Sequence, residues 1–165
     1  MHEAMPEPAE LVIPLPDEAA TRALGARLAA LVQAGDFIAL SGDLGAGKTA
    51  LARALIEARL AAHGLMEDVP SPTFTIVQTY ETPDLLLTHA DLYRIDRPQD
   101  VTELGLAEAL EDGAVLIEWP ERMSPLPRDR LDIGLFLVEE GTNARTARLR
   151  GFGTWTSRLE KLKAA

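Results

Sequence analysis

The chain has no cysteine at all. Disulfide bridging and thiol chemistry are therefore excluded, and the absence weakly favours a reducing, cytoplasmic address. Basic residues are in short supply: Lys and Arg number 16 against 26 Asp and Glu, a formal net charge of -10. Tight binding of a nucleic-acid backbone needs clustered cations to neutralise phosphates. An acidic chain of this kind is not expected to grip RNA or DNA unaided, so a role on nucleic acid would pass through a more basic partner. No stretch approaches the roughly 18 uninterrupted apolar residues of a membrane span, and no membrane association is expected. The opening MHEAMPEPAE is acidic and proline-bearing, without the basic start and apolar centre of a secretory signal. Residues 1 to 10 are read as a short disordered lead-in, and 11 to 165 as one domain.

What is present suits a globular fold. The 165 residues are 47% hydrophobic, enough to bury a core. Asp17 is placed to cap a helix in which Ala20, Leu24, Leu28 and Leu31 recur at helical spacing up to Gly35. Phe37–Leu40 is a short apolar run, read as a buried strand, and Leu51, Leu55 and Leu60 mark a second helix stopped near Gly64. Residues 65 to 73 read as a loop. Phe74–Glu81 and the run from Leu85 are read as a hairpin turning at Thr82-Pro83-Asp84. Pro98 suits the first turn of a helix to about Leu110. Ala114–Ile117 is another buried strand, residues 120 to 130 a proline-rich loop, and two alternating strands joined through Gly141 follow. Trp155, Leu159 and Leu162 indicate a closing helix. The order predicts an α/β fold: a P-loop NTPase-like sheet, partly parallel, with antiparallel hairpin additions and flanking helices.

The chemistry is concentrated in Gly42-Asp43-Leu44-Gly45-Ala46-Gly47-Lys48-Thr49, a complete G-x-x-x-x-G-K-[ST] sequence. Its glycines let successive backbone N–H groups point inward as an anion nest, and the following helix adds the positive end of its dipole. Lys48 supplies a point charge for phosphates, and the Thr49 hydroxyl suits Mg²⁺. A chance match in a chain this long has a likelihood of roughly half a percent, and the strand before and helix after narrow it further. A nucleotide-phosphate loop therefore outweighs a Gly-rich turn that binds nothing. Such a loop needs an acid to hold Mg²⁺ and orient water. Two stand at the ends of apolar strands, Asp91 after LLLTHA and Glu118 after AVLI, and the pattern does not choose between them. His89 reads more simply as a packed or hydrogen-bonded strand residue than as a base. Tyr93 and Arg94 read as ordinary strand-exit residues, and Trp119 divides evenly between packing and a place beside the site.

GDLGAGKT at 42 to 49, SPTF at 71 to 74, HADLYR at 89 to 94 and IEWPER at 117 to 122, with LPDEAATRALG at 15 to 25, together resemble the TsaE family, the ATPase of bacterial threonylcarbamoyladenosine formation in tRNA. The resemblance implies that Lys48 and the amides of Gly45, Ala46 and Gly47 hold the phosphates of ATP. It implies Thr49 and Glu118 as Mg²⁺ ligands, with Lys48, Asp91 and Glu118 as catalytic residues and Asp91 near the γ-phosphate. It places Thr73 in a switch-like segment beside the nucleotide, Glu18 near the adenine, and Trp119 and Arg145 in contact with the nucleotide. It implies TsaD and TsaB as protein partners and tRNA only as an indirect one. A small-molecule kinase is the alternative, since the loop at 120 to 130 carries Arg122, Arg128 and Arg130 in the manner of a lid. A guanine-reading switch is disfavoured, because no N-K-x-D sequence occurs.

Overall fold

A computed structural model of the chain describes residues 8–67, 69–70, 76–139 and 141–163. The elements run β1 (Ala9–Leu15), α1 (Glu18–Ala29), β2 (Phe37–Ser41), α2 (Lys48–Ala62), β3 (Val77–Glu81), β4 (Leu86–Asp91), α3 (Pro98–Thr102), α4 (Leu106–Asp112), β5 (Gly113–Glu118), β6 (Arg130–Leu137), β7 (Arg145–Phe152) and α5 (Trp155–Lys163). They form a seven-stranded sheet of order β1-β7-β6-β2-β5-β4-β3. The central strands β6, β2, β5 and β4 are mutually parallel, while β3, β7 and β1 are added antiparallel. The expected α/β sheet, parallel in part with hairpin additions, is therefore present.

Strand β2 is buried along Phe37–Leu40, as its unbroken apolar run requires when helices cover both faces of a parallel sheet. Helices α1, α2 and α5 pack one face through Leu24, Leu28, Leu51, Leu55, Trp155 and Leu159. The short helices α3 and α4 and the chain after Trp119 cover the other face beneath Phe37, Ala39, Val115 and Ile117. Asp17 caps α1 by accepting the Ala20 N–H at 2.8 Å, as its side chain predicts. At Gly25 the crossing of α1 over α2 leaves no room for a side chain, because a Cβ there would stand 2.5 Å from that of Ala54. Among the described residues no helix is long and apolar enough to cross a membrane.

Two elements differ from the sequence expectation. Strand β1 begins at Ala9, before the expected end of the lead-in, and buries Leu15 and part of Leu11 and Ile13. Pro14 disguises it, since proline is excluded from central strands, but β1 lies at the sheet edge, where proline is tolerated. The single helix expected from Pro98 to Leu110 is two helices. Gly105 takes φ 72°, a left-handed turn that cannot continue an α-helix and instead starts α4 on a new axis.

Candidate functional site

The loop after β2 is built from glycines where the backbone demands them. Gly45 and Gly47 have φ of 78° and 103°, in the left-handed region that costs a side-chain-bearing residue strain. The turn delivers the chain directly into α2, so Lys48 and Thr49 occupy the helix's first turn with its free N–H groups. Lys48 is buried and donates from Nζ to the carbonyls of Gly42 and, at 3.0 Å, Asp43. Its ammonium also lies 4.0 Å from the Trp119 ring centroid. Burial pushes the Lys48 pKa below the usual lysine value, against the attraction of Glu118, Glu121, Asp91 and Asp43.

Strand register brings the acids to this loop. Parallel pairing sets Leu40 opposite Glu118 and Glu118 opposite Asp91. The carboxyl ends of β2, β5 and β4 thus meet at one level, where open α/β sheets bind ligands. Glu118 is buried, and its Oε1 accepts the Thr49 hydroxyl at 2.7 Å. Its Oε2 lies 2.7 Å from His89 Nε2. Asp91 stands beside this pair, half-buried, its Oδ1 accepting the Tyr93 N–H at 3.0 Å. Burial, with a smaller push from Glu118, holds its carboxyl above the ordinary carboxylate range, while the Tyr93 N–H opposes the shift.

Gly45, Ala46, Gly47, Lys48, Thr49, Asp91, Glu118 and Trp119 line one open cavity of about 200 Å³, together with Leu44 and Tyr93. Eight of the residues singled out in the sequence are thereby brought together. Arg145 reaches the loop from behind: it returns on β7 and donates to the carbonyls of Ala46 and Gly45, both at 3.1 Å. Its guanidinium braces the loop rather than lining the cavity. Glu18 lies elsewhere, exposed in a separate cavity between α1 and α2 with Thr21, Ala50 and Arg53. Thr73 and the rest of the SPTF segment fall outside the described residues.

The sequence did not say which partners three of these neighbours take. His89 is 1% exposed and hydrogen-bonded, as a strand histidine was expected to be, and its partner is Glu118. Its spacing two residues before Asp91 puts both on one face of β4, and that is the signal that was available. Tyr93 stands against Trp119 with ring centroids 5.0 Å apart. Trp119 itself sits at φ 61°, a left-handed conformation unusual for a bulky residue, which turns its ring over Lys48.

The donor set suits Mg²⁺, a hard cation that takes oxygen ligands and usually only one or two carboxylates. Thr49 Oγ1 and Glu118 Oε1 already stand together at hydrogen-bond distance. Among the described residues no group of three or more His, Cys, Asp or Glu is placed to hold a metal by itself. A magnesium ion here would draw its remaining ligands from phosphate and water.

Comparison with known proteins agrees with this architecture. The family model described as "Threonylcarbamoyl adenosine biosynthesis protein TsaE" matches residues 15–147. Proteins named tRNA threonylcarbamoyladenosine biosynthesis protein TsaE are similar along much of the chain. That of Rickettsia bellii is 37% identical over 76% of this chain and 86% of its own length. That of a Nostoc species is 38% identical over 88% of both chains. The crystal structure of Bacillus subtilis YdiB superposes with a TM-score of 0.72 at 29% identity, covering 95% of this chain and 96% of that one. With the family model spanning both the phosphate loop and the strand-end acids, the chain belongs to the TsaE family.

Proposed function

We propose that this chain binds ATP with Mg²⁺ and hydrolyses it slowly, in the cytoplasm, in support of threonylcarbamoyladenosine formation in tRNA. The observation that carries the reading is the contact of Thr49 with Glu118 at the mouth of a complete phosphate loop. Amides of Gly45, Ala46 and Gly47 and the Lys48 ammonium bind the phosphates. Thr49 and Glu118 hold the Mg²⁺, which when bound neutralises charge on the phosphate oxygens. Asp91, at the end of β4 beside Glu118, would orient the attacking water, and Trp119 would close over the Lys48 side. Lys48 exchanges its present partners, the Gly42 and Asp43 carbonyls, for phosphate oxygens.

The pathway is that of the family's name. That the chain acts on a TsaB–TsaD complex, rather than transferring the group itself, is supported by its net charge of -10, which disfavours a direct grip on tRNA. The described site also shows no arginine directed into the phosphate cavity, and P-loop enzymes without one are slow until a partner completes the site. The kinase alternative loses support from Arg130, whose guanidinium is spent on Asp132 and the Pro127 carbonyl.

Calorimetry of ATP binding tests the reading. Lys48→Ala should weaken affinity by roughly ten- to a hundredfold, the worth of a charged hydrogen-bonding group. Unchanged affinity would overturn it. Hydrolysis should rise when TsaB and TsaD are added; rapid turnover indifferent to them would favour a free-standing ATPase or kinase.

A further inference from the structure

Glu118 has two oxygens and, among the described residues, two side-chain partners: the Thr49 hydroxyl on Oε1 and the His89 ring on Oε2. Thr49 is the partner that a metal or phosphate would draw away. The His89 contact is on the other carboxylate oxygen, and His89 is not among the residues that line the cavity. Resting on the ATP·Mg²⁺ reading above, we infer that His89 is the positioning residue of the site: its Nε2 holds Glu118 Oε2 so that Oε1 stays aimed at Thr49 and the metal position.

Backbone register makes the contact possible. His89 on β4 is paired with Leu116 on β5, so Glu118 is its diagonal neighbour on the same sheet face, within reach of two long side chains. Packing alone does not explain an imidazole here. The ring is 1% exposed, its register partners are Leu116 on β5 and Gln78 on β3, whose side-chain oxygen accepts from Tyr80 instead, and its Nδ1 is buried with no partner among the described residues. A leucine would fill the space without that unsatisfied atom. Nor is the ring needed to join the strands, because the backbone ladder already pairs Leu86–Asp91 with Gly113–Glu118. Among the described residues its polar side-chain partner is Glu118, itself 2% exposed, which keeps this contact once Thr49 is engaged elsewhere. Outer partners that orient a ligand commonly alter metal affinity ten- to a hundredfold when removed.

The test compares His89→Gln, whose amide nitrogen reaches the depth of Nε2, with His89→Asn, one methylene too short. His89→Ala is the full deletion. Mn²⁺ is titrated, with detection by electron paramagnetic resonance, into each protein saturated with a non-hydrolysable ATP analogue. Analogue binding is measured separately in EDTA. Metal affinity should fall about tenfold or more in the Asn and Ala variants and stay within about threefold of wild type in Gln, with metal-free analogue binding equal in all. Wild-type metal affinity in His89→Asn, or equal losses in Gln and Asn, would overturn the assignment while leaving ATP binding intact. Loss of folding in both amide variants would mark His89 as a structural prop and overturn it equally. A wild type that binds no analogue would overturn both this inference and the function it rests on.

Discussion

Arg158 on α5 reaches beneath the sheet to Asp36, in the turn that launches β2. The guanidinium makes two bonds to the carboxylate, at 2.6 and 2.7 Å, and both side chains are buried. It also donates to the Leu31 carbonyl at 3.0 Å and the Thr154 hydroxyl at 2.7 Å, and stacks 4.0 Å from the Trp155 ring centroid. Arg158→Met keeps the aliphatic stem but leaves a buried carboxylate whose remaining bond is to the Gln33 N–H at 2.6 Å. Removing one partner of a buried ion pair costs about 3–5 kcal/mol, because the other charge stays desolvated and unpaired. Against a total stability of about 5–15 kcal/mol for a domain, that is a large fraction. With a urea slope of about 1–3 kcal/mol/M, the midpoint should fall by roughly 2 M. Replacing Asp36 as well, with Leu, should cost much less than the two single changes added, since the double variant holds no orphaned charge. ATP affinity at 25 °C should not move, as neither residue lines the phosphate cavity. A loss under about 1 kcal/mol for Arg158→Met, or single effects that simply add, would refute the reasoning.

Glu118→Gln should raise the Mg²⁺ concentration needed for half-maximal hydrolysis by at least tenfold, since Gln keeps the shape but removes the negative charge that attracts the cation; an unchanged Mg²⁺ dependence would reassign the ligand. In a Trp155→Phe background, ATP should change the fluorescence of Trp119, because Lys48 lies over its ring and is drawn to phosphate on binding; a silent titration with binding confirmed by calorimetry would return Trp119 to packing. Asp91 carries a folded-state pKa above its ordinary value, mainly through burial, so the folded protein binds that proton more tightly than the unfolded chain. Its contribution to stability therefore falls as pH rises through the acid range, and the penalty persists at neutrality. Asp91→Asn should stabilise the fold in urea at pH 7, with the gain vanishing below about pH 4; an equal difference at both pH values would contradict the sign.

Much of this architecture was legible locally. A capping carboxylate at Asp17, leucines at helical spacing in α1 and α2, and an apolar run into a glycine turn each act over a few residues, and each formed as expected. The phosphate loop is of the same kind: its backbone geometry depends on glycines inside one turn and on the helix immediately after it. Edge placement excused Pro14 in β1, and a left-handed Gly105 broke the helix after Pro98, both for reasons that lie outside a local pattern.

Composition and local spacing therefore determined an acidic α/β phosphate-loop protein with two acids at strand ends. Tertiary structure decided which acid meets Thr49. Thr49 and Glu118 are 69 residues apart in sequence, and their contact exists because β5 lies next to β2 in register Leu40 with Glu118. Register also set His89 diagonal to Glu118, and brought Arg145 back from β7 to bond the Ala46 carbonyl 99 residues earlier. Strand order and register are fixed by many small packing and ladder energies summed over the whole sheet, and no window of neighbouring residues contains that sum.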